Sequence, residues 1–389
     1  MDFAFPPELE KFREEVREFI RTEVPPGFEG VGMEEEDPKE AQGIRRKLAH
    51  RGWLTMAWPK EYGGMEAPHY QQMVFNEEMA YHRVPAVDNS VNMLGPILMM
   101  EGTDEQKREF LPRIARAEMR WGQGYSEPGS GSDLASLQTR AVADGDDFVI
   151  NGTKIWTSGA HNADWLFMLA RTDQEAPKHR GISFLLVDIK TPGLTIRPII
   201  NMAGIHGFNQ LFFDNVRTPK KYLVGELNRG WYVGARLLDF ERSGVGRSAS
   251  GKRILEEMVQ FAKETTWNGQ VLAKKPEVRN RLSDMAVEVE VSRMVSYRIG
   301  YLQSKGEVFN KEASVGKVFG SEMQQRLYRT GMSMMGLYGT LSKGSKWAPL
   351  QGRIQRGFLT SFSSTIAAGT SEIQRNVIAN RGLGLPRGA

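Results

Sequence analysis

Apolar residues recur at helical spacing near both ends of the chain. Leu9, Phe12, Val16, Phe19 and Ile20 alternate with charged positions as they would on one face of a helix. The same period returns after Gly230 in long segments around 231–262, 277–305 and 307–332. We therefore predict a helical region at the N-terminus and a four-helix bundle at the C-terminus.

The middle of the chain has a different pattern, with short β-rich runs separated by turn residues. Strands are predicted over 165–170, 182–189 and 211–214. A β-hairpin is predicted where 148–150 and 153–156 flank Asn151-Gly152, a dipeptide typical of type I′ turns. Strands and helices do not alternate, which argues against a doubly wound dinucleotide-binding fold. The predicted class is α+β, with a helical domain (1–120), a β-domain (121–226) and a helical bundle (227–389).

Composition removes several classes of function. Cysteine is absent, so redox chemistry needs a cofactor, and disulfides and thiolate metal sites are excluded. The net charge is only +4, and the basic residues are interspersed with acidic ones, which disfavours nucleic acid binding. The six histidines lack the helical spacing of metal ligands, and no Gly-x-Ser-x-Gly elbow suggests a hydrolase. Without a signal-peptide pattern or a membrane-length apolar run, a cytoplasmic location is expected, with no membrane association.

Three segments combine small, hydroxyl and aromatic residues. In 124–133, three glycines and several serines would let the backbone approach a flat or phosphorylated ligand. Segment 154–159 ends a predicted strand with a tryptophan beside hydroxyl groups, and 365–375 places a glycine before Thr370 and Ser371, either of which could cap a helix. Taken singly, they are a surface loop, a core tryptophan and a helix start.

Taken together, their order and spacing resemble the acyl-CoA dehydrogenase family, from the Tyr62-Gly63-Gly64 turn almost to the C-terminus. The resemblance implies a helical domain, a β-domain and a helical bundle that enclose FAD and an acyl thioester. It implies FAD-dependent α,β-dehydrogenation of an acyl-CoA to the trans-2-enoyl-CoA, in fatty acid or side-chain β-oxidation. An electron-transfer flavoprotein is the implied electron acceptor.

The resemblance also carries over site residues, position by position. Ser132 matches both a cofactor position and a contact to the coenzyme A ligand, and Asp239, Arg242 and Gly369 match substrate-binding positions. The implied cofactor-binding residues are Gln123, Tyr125, Ser126, Gly131, Ser132, Trp156, Ser158, Thr370 and Glu372.

The catalytic base departs from the commonest family pattern. Many members place a glutamate directly before the Gly-Thr of the terminal motif, where this chain has Ala368. Another subset carries the base on an earlier helix, and Glu241 falls on that position. We therefore predict that Glu241 removes the α-proton while a hydride leaves for flavin N5, and that the Ala368 backbone N–H donates to the thioester carbonyl. Alternatively, Glu241 only pairs with an arginine.

The half-site that family subunits donate to a neighbour's FAD looks altered. Thr265, Ser333 and Leu337 replace an arginine, a glutamine and a glycine of the family pattern, although Arg279 or Arg281 could supply the cation. Two assemblies follow, an α2β2 heterotetramer with a related subunit or a homotetramer with changed FAD contacts.

Two other functions also stay open. The scaffold could run a desulfinase- or oxidase-type reaction, or the chain could be a non-catalytic subunit of a heteromeric dehydrogenase. Straight-chain, branched, dicarboxylic and sterol-derived thioesters all remain candidate substrates.

Overall fold

The chain is described by a computed structural model that covers residues 5–28, 38–85, 88–236 and 244–386. It divides into two compact units. The helical unit comprises Met1–Pro25, Pro68–Val84 and Arg242–Ala389, and the sheet unit comprises Pro26–Ala67 and Pro85–Glu241. Both units are discontinuous in sequence, and the boundaries of the three predicted domains stay a prediction.

Strands β1 to β8 lie together between residues 121 and 224, as the α+β prediction requires, and only the short β9 and β10 lie among the C-terminal helices of the described chain. The helices are α1 (Pro7–Glu23), α2 (Pro38–His50), α3 (His69–Tyr81), α4 (Gly95–Glu101), α5 (Asp104–Ala115), α6 (Gly230–Arg236), α7 (Val245–Glu264), α8 (Pro276–Ser304), α9 (Asn310–Met335), α10 (Arg353–Ser364) and α11 (Ser371–Val377). The strands are β1 (Trp121–Gly124), β2 (Arg140–Asp144), β3 (Asp147–Lys154), β4 (Trp165–Arg171), β5 (Ile182–Asp188), β6 (Leu194–Ile200), β7 (His206–Pro219), β8 (Leu223–Val224), β9 (Thr266–Trp267) and β10 (Gln270–Val271). In the described ranges, none of the helices combines the length and apolarity needed to span a membrane.

One sheet dominates the sheet unit, in the order β6-β7-β3-β2-β4-β5-β8, with β1 parallel to β4 on a separate branch. Strands β4 and β5 confirm the predicted runs because both are almost continuously apolar and buried. Strand β7 is much longer than the predicted 211–214. The sheet core contains Leu166, Met168, Leu185, Val187 and Leu211.

The predicted hairpin at Asn151-Gly152 is wrong. These residues lie inside the continuous strand β3, and the turn falls at Gly145-Asp146, between the paired residues Asp144 and Asp147. Gly152 is needed for space, since a Cβ there would lie 2.6 Å from Thr139 Oγ1. Beside it, the pairing of β3 with β7 shifts register. The extra residue lies in β7, so the glycine stands beside a β-bulge of the partner strand, which β-rich flanks do not distinguish from a turn.

In the helical unit, α7, α8, α9 and α10 pack around a core that includes Met258, Met285, Met323, Leu327 and Ile354. The stripe predicted on α1 is confirmed, since Phe12, Val16 and Phe19 are buried. The segment predicted as one helix over 231–262 is interrupted. Gly244 precedes α7 in a left-handed conformation (φ 70°), and residues 237–243 lie outside the described ranges.

Candidate active site

The first candidate segment begins where β1 ends, in the sheet unit. Strand β1 runs parallel to β4, and Tyr125 follows it into the core. The Tyr125 ring meets the rings of Phe167 and Phe184 edge-on, at centroid distances of 6.0 and 6.4 Å. Burial raises the pKa of Tyr125 well above its usual value, so its phenol stays neutral at physiological pH.

A buried ion pair holds this segment against β3. The Nζ atom of Lys154, which has no solvent exposure, donates to Glu127 Oε1 at 2.8 Å and to the Tyr125 carbonyl at 3.1 Å. Glu127 also accepts hydrogen bonds from the backbone N–H groups of Gln138 (2.6 Å) and Thr139 (2.9 Å). The carboxylate therefore connects the start of the loop, its end and the neighbouring strand.

Burial opposes the charges of both members of this pair. Burial lowers the pKa of Lys154 to about 8, against the attraction of Glu127. Burial opposes the charge of Glu127 as well, but Lys154 and the backbone donors outweigh it and lower the pKa of the carboxyl. Both groups are therefore charged near neutral pH.

The outer part of the loop is fixed by its own hydrogen bonds. Glu127 and Ser130 exchange backbone hydrogen bonds of 2.9 and 3.0 Å, and the Ile155 N–H donates to the Ser126 carbonyl at 2.9 Å. The latter bond joins the first candidate segment to the second. Gly131 and Ser132 are exposed, and nothing lies within 4 Å of a Cβ built on Gly131. The loop thus presents open backbone on a rigid base.

The second segment carries an exposed tryptophan on an unusual backbone. Trp156 has a left-handed φ of 62° and is 56% exposed, whereas the next residue, Thr157, is fully buried. Ser158 is half-buried. A bulky residue in this conformation is rare and costs free energy, and such strain concentrates at functional sites.

The third segment lies in the helical unit and makes a tight turn before α11. Ala368 and Gly369 are both left-handed, with φ of 52° and 86°. Thr370 then caps α11, because its side chain accepts a hydrogen bond from the Ile373 N–H at 3.2 Å. The cap that the sequence predicted is confirmed. Ala368 and Glu372 are exposed.

The predicted site residues thus fall into three groups. The sheet unit holds Gln123, Tyr125, Ser126, Gly131, Ser132, Trp156 and Ser158, and the helical unit holds Ala368, Gly369, Thr370 and Glu372. Asp239, Glu241 and Arg242 lie outside the described residues. Their roles at an active site stay predictions.

Sequence reasoning gave no role to Glu127 and Lys154, which fix the loop. One signal was available for Lys154. Side chains alternate between the two faces of a strand, and Lys154 shares the parity of the buried residues Phe148 and Ile150. A lysine at an inward position needs a buried acceptor, but the sequence does not say which carboxylate supplies it.

Family models match nearly the whole chain. The N-terminal, middle and C-terminal domain models of acyl-CoA dehydrogenase match residues 6–118, 122–216 and 228–383. The chain belongs to the acyl-CoA dehydrogenase family. It is therefore a flavoprotein oxidoreductase with FAD as its cofactor, and the expected fold is confirmed.

Relatives and solved structures agree over the full length. The acyl-CoA dehydrogenase FadE26 of Mycobacterium tuberculosis is 36% identical over 398 residues, covering 100% of this chain and 99% of the relative. Among structures, the ChsE4-ChsE5 complex from Mycobacterium tuberculosis is 35% identical, with a TM-score of 0.90 and 100% of both chains covered. A structure titled Tcur3481-Tcur3483 steroid ACAD is 34% identical, also with a TM-score of 0.90 and 100% of both chains covered.

The described residues fit a flavin. The exposed Trp156 ring offers a flat apolar surface, and the open backbone at Gly131 leaves room for a ligand beside the loop. Both belong to the sheet unit, where the buried Glu127–Lys154 pair holds the loop in place. Here the acyl-CoA dehydrogenase chain has a preformed surface that could receive a planar ring system.

The three half-site positions at which the sequence departs from the family pattern lie in the helical unit. Thr265 follows the last residue of α7, and Leu337 is 87% exposed. Arg281 of α8 donates a hydrogen bond to the Ser333 hydroxyl, and both residues line a cavity of about 230 Å³ together with Trp267, Lys275 and Thr330. A cation is therefore present near the position where the family's glutamine is replaced.

Proposed function

We propose that this chain removes the α-proton of an acyl-CoA with Glu241 and forms the trans-2-enoyl-CoA. The observation that carries this proposal is Ala368, which occupies the position where many relatives keep a glutamate and cannot accept a proton. Dehydrogenation still needs a carboxylate, and Glu241 falls on the alternative position within the family. Bound FAD supplies the acceptor for the Cβ hydride.

The turn at Ala368 suits a second role. Its left-handed backbone is followed by Gly369 and by the capped start of α11, so the residues around it are held in one conformation. An N–H group fixed in this way can donate to the thioester carbonyl as negative charge develops on its oxygen. The missing side chain does not affect this donor.

The proposed cofactor contacts are those of the preformed surface in the sheet unit, namely Gln123, Tyr125, Ser126, Gly131, Ser132, Trp156 and Ser158, together with Thr370 and Glu372 of the helical unit. Ser132, Asp239, Arg242 and Gly369 are the proposed contacts to the acyl-CoA. An electron-transfer flavoprotein is the proposed acceptor of the electrons.

A steroid-derived thioester is the substrate that the similarities favour. One similar structure is titled a steroid ACAD, at 34% identity over the full length of both chains. Among the substrates that the sequence left open, we therefore place sterol-derived acyl-CoA first.

An assembly with a related subunit, α2β2, is favoured over a homotetramer. Thr265, Ser333 and Leu337 change the half-site that a neighbour would use, and two similar structures are complexes of two differently named chains by their titles. Exposed apolar side chains also follow α8 at helical spacing, as expected of a buried interface: Val287, Val291, Met294 and Tyr301. We expect the chain purified alone to hold less than one FAD per protomer. One tightly bound FAD per protomer with full activity would contradict this assembly.

The Glu241→Gln variant tests the reaction. Loss of a general base costs on the order of 10³-fold in rate, so we expect the flavin of this variant to keep its colour when acyl-CoAs are added anaerobically, while the wild type is bleached. The panel should contain straight-chain, branched, dicarboxylic and steroid-derived thioesters.

Glu307→Gln is the matched control, since it makes the same substitution at an exposed glutamate of the helical unit. It should bleach like the wild type. If Glu241→Gln turned over at a near-normal rate, Glu241 would not be the base. Bleaching of the wild type only by straight-chain thioesters would reject the steroid assignment and leave the reaction intact.

A further inference from the structure

The start of β7 follows the second candidate segment residue by residue. The Phe208 ring meets the Trp156 ring edge-on at 6.2 Å, and the Gly159 N–H donates to the Gly207 carbonyl at 3.0 Å. Next to this bond along both segments, the imidazoles of His161 and His206 stack at 4.0 Å with an interplanar angle of 26°. Residues 206–209 thus contact and hydrogen-bond residues 156–161 along most of their length.

Asn209 makes most of the hydrogen bonds between these two stretches and is fully buried. Its backbone exchanges hydrogen bonds of 3.0 and 3.1 Å with the backbone of Thr157. Its side-chain Nδ2 donates to the same Thr157 carbonyl at 3.0 Å. Because Nδ2 can only donate, this third bond fixes the orientation of the side-chain amide.

That orientation determines whether one ring nitrogen in each histidine carries a proton. The second Nδ2 hydrogen of Asn209 points to His161 Nδ1 at 3.1 Å, so this nitrogen must accept and carry no proton. Asn209 Oδ1 lies 2.9 Å from His206 Nε2, so this nitrogen must donate. Both N–H donors of the Asn209 amide and its oxygen are thus paired, with the Thr157 carbonyl, His161 and His206, when His161 is neutral.

We propose that Asn209, His161 and His206 are positioning residues that hold Trp156 and Ser158 in the conformation that binds the flavin. Protonation of His161 breaks this network and weakens the binding of the flavin. This inference rests on the proposed role of Trp156 and Ser158 as cofactor contacts. None of the three positioning residues is required to touch the cofactor. They act through the backbone of Thr157, which lies between the two contact residues.

The neighbouring charges favour the neutral form of His161. Burial, and after it the nearby His206, lowers the pKa of His161 below its usual value, and Arg120, just before β1, acts in the same direction. A hydrogen bond accepted by Asn209 would act in the opposite direction, but the bond to the Thr157 carbonyl turns Nδ2 rather than Oδ1 toward His161. The charged residue of the adjacent strand β6 is Arg197, whose guanidinium lies over the Phe212 ring at 5.0 Å. A proton on His161 Nδ1 would meet the N–H of Asn209 and replace an attraction by a repulsion.

The direction of the pH effect follows. The neutral network is complete above the usual histidine pKa of about 6.5. As the pH falls below the lowered pKa of His161, the protonated form accumulates, and affinity for FAD decreases by at most about tenfold per pH unit. The wild type should therefore bind FAD with constant affinity above about pH 6.5 and lose affinity once the pH falls below the lowered pKa of His161.

Reconstitution of the apoprotein with FAD at pH 8.0 and pH 5.5, followed by flavin fluorescence, tests the inference. His161→Asn offers an oxygen near the place of Nδ1 that accepts the same hydrogen bond and does not titrate. It should keep wild-type affinity at pH 8.0 and lose much of the pH dependence. His161→Leu removes the acceptor and should weaken FAD binding about fivefold already at pH 8.0.

His50→Asn is the matched control, since His50 is an exposed residue at the end of α2. It should behave as the wild type at both pH values. Asn209→Leu should weaken binding more than His161→Leu, because it loses the bond to Thr157 as well. If Asn209→Leu does not fold, as judged by its circular dichroism, the two His161 variants decide the question.

Trp156→Ala and Ser158→Ala separate this inference from the proposed function. Wild-type affinity in both would refute their role as cofactor contacts, and the positioning role with it. Weakened binding in these two, combined with wild-type affinity and pH dependence in His161→Leu, would overturn the positioning role alone. A pH dependence in His161→Asn equal to that of the wild type would refute the release by protonation.

Discussion

The candidate segments of the two units are held in place by different means. In the sheet unit, the loop after β1 is fixed by a buried ion pair, and Lys154 of this pair has no solvent exposure. In the helical unit, the turn before α11 is exposed and depends on two left-handed residues, Ala368 and Gly369, and on the cap from Thr370. The first is fixed by contacts distant in sequence and the second by local conformation.

The difference has consequences for the effect of substitutions. A buried charge that loses its partner remains in a medium of low dielectric constant, so the cost is large and extends over everything the pair connects. A left-handed turn costs little per residue, and a wrong side chain there changes only the local backbone energy. Substitutions in the sheet-unit loop should therefore be far more damaging than substitutions in the terminal turn.

Lys154→Met gives the largest expected effect. It leaves the Glu127 carboxylate buried without its cation, and we expect stability to fall by about 3–5 kcal/mol. The melting temperature of the apoprotein and its affinity for FAD should both decrease. The double variant Glu127→Gln with Lys154→Met should lose less than the sum of the two single variants, because it leaves no unpaired charge.

Lys178→Met is the control for this comparison. Lys178 pairs with Asp133 of the same loop at 2.7 Å, but both side chains are more than half exposed. Its loss should cost less than about 1 kcal/mol. Equal destabilisation by Lys154→Met and Lys178→Met would show that burial of the pair does not hold the loop.

Much of this architecture could be predicted from the sequence. Strands β4 and β5 were predicted correctly because long apolar runs need burial on both faces of a sheet, whatever the partner strand. The cap at Thr370 could also be predicted from nearby residues alone, because its hydrogen bond reaches only three residues along the chain.

Features that depend on distant residues were missed. Asn151-Gly152 looks like a hairpin turn, yet Thr139 is what requires a glycine at 152. The break at Gly244 was hidden by helical spacing on both sides. Glu127 and Lys154 are 27 positions apart, and only the pairing of the strands brings their charges together. Local signals define elements, whereas the polar groups that hold the candidate site depend on tertiary contacts.

Gly369→Ala has a smaller expected effect than Lys154→Met and tests the other half of the comparison. At φ 86° a Cβ is strained, and it would also lie 2.5 Å from Gln374 Nε2, the end of a side chain that can move. We expect a loss of about 1–2 kcal/mol, measured as a small fall in melting temperature. The matched control is Gly129→Ala in the sheet-unit loop, where nothing lies within 4 Å of the added Cβ and no effect on melting is expected. If Gly369→Ala destabilised the protein as much as Lys154→Met, the terminal turn would be held by more than its local conformation.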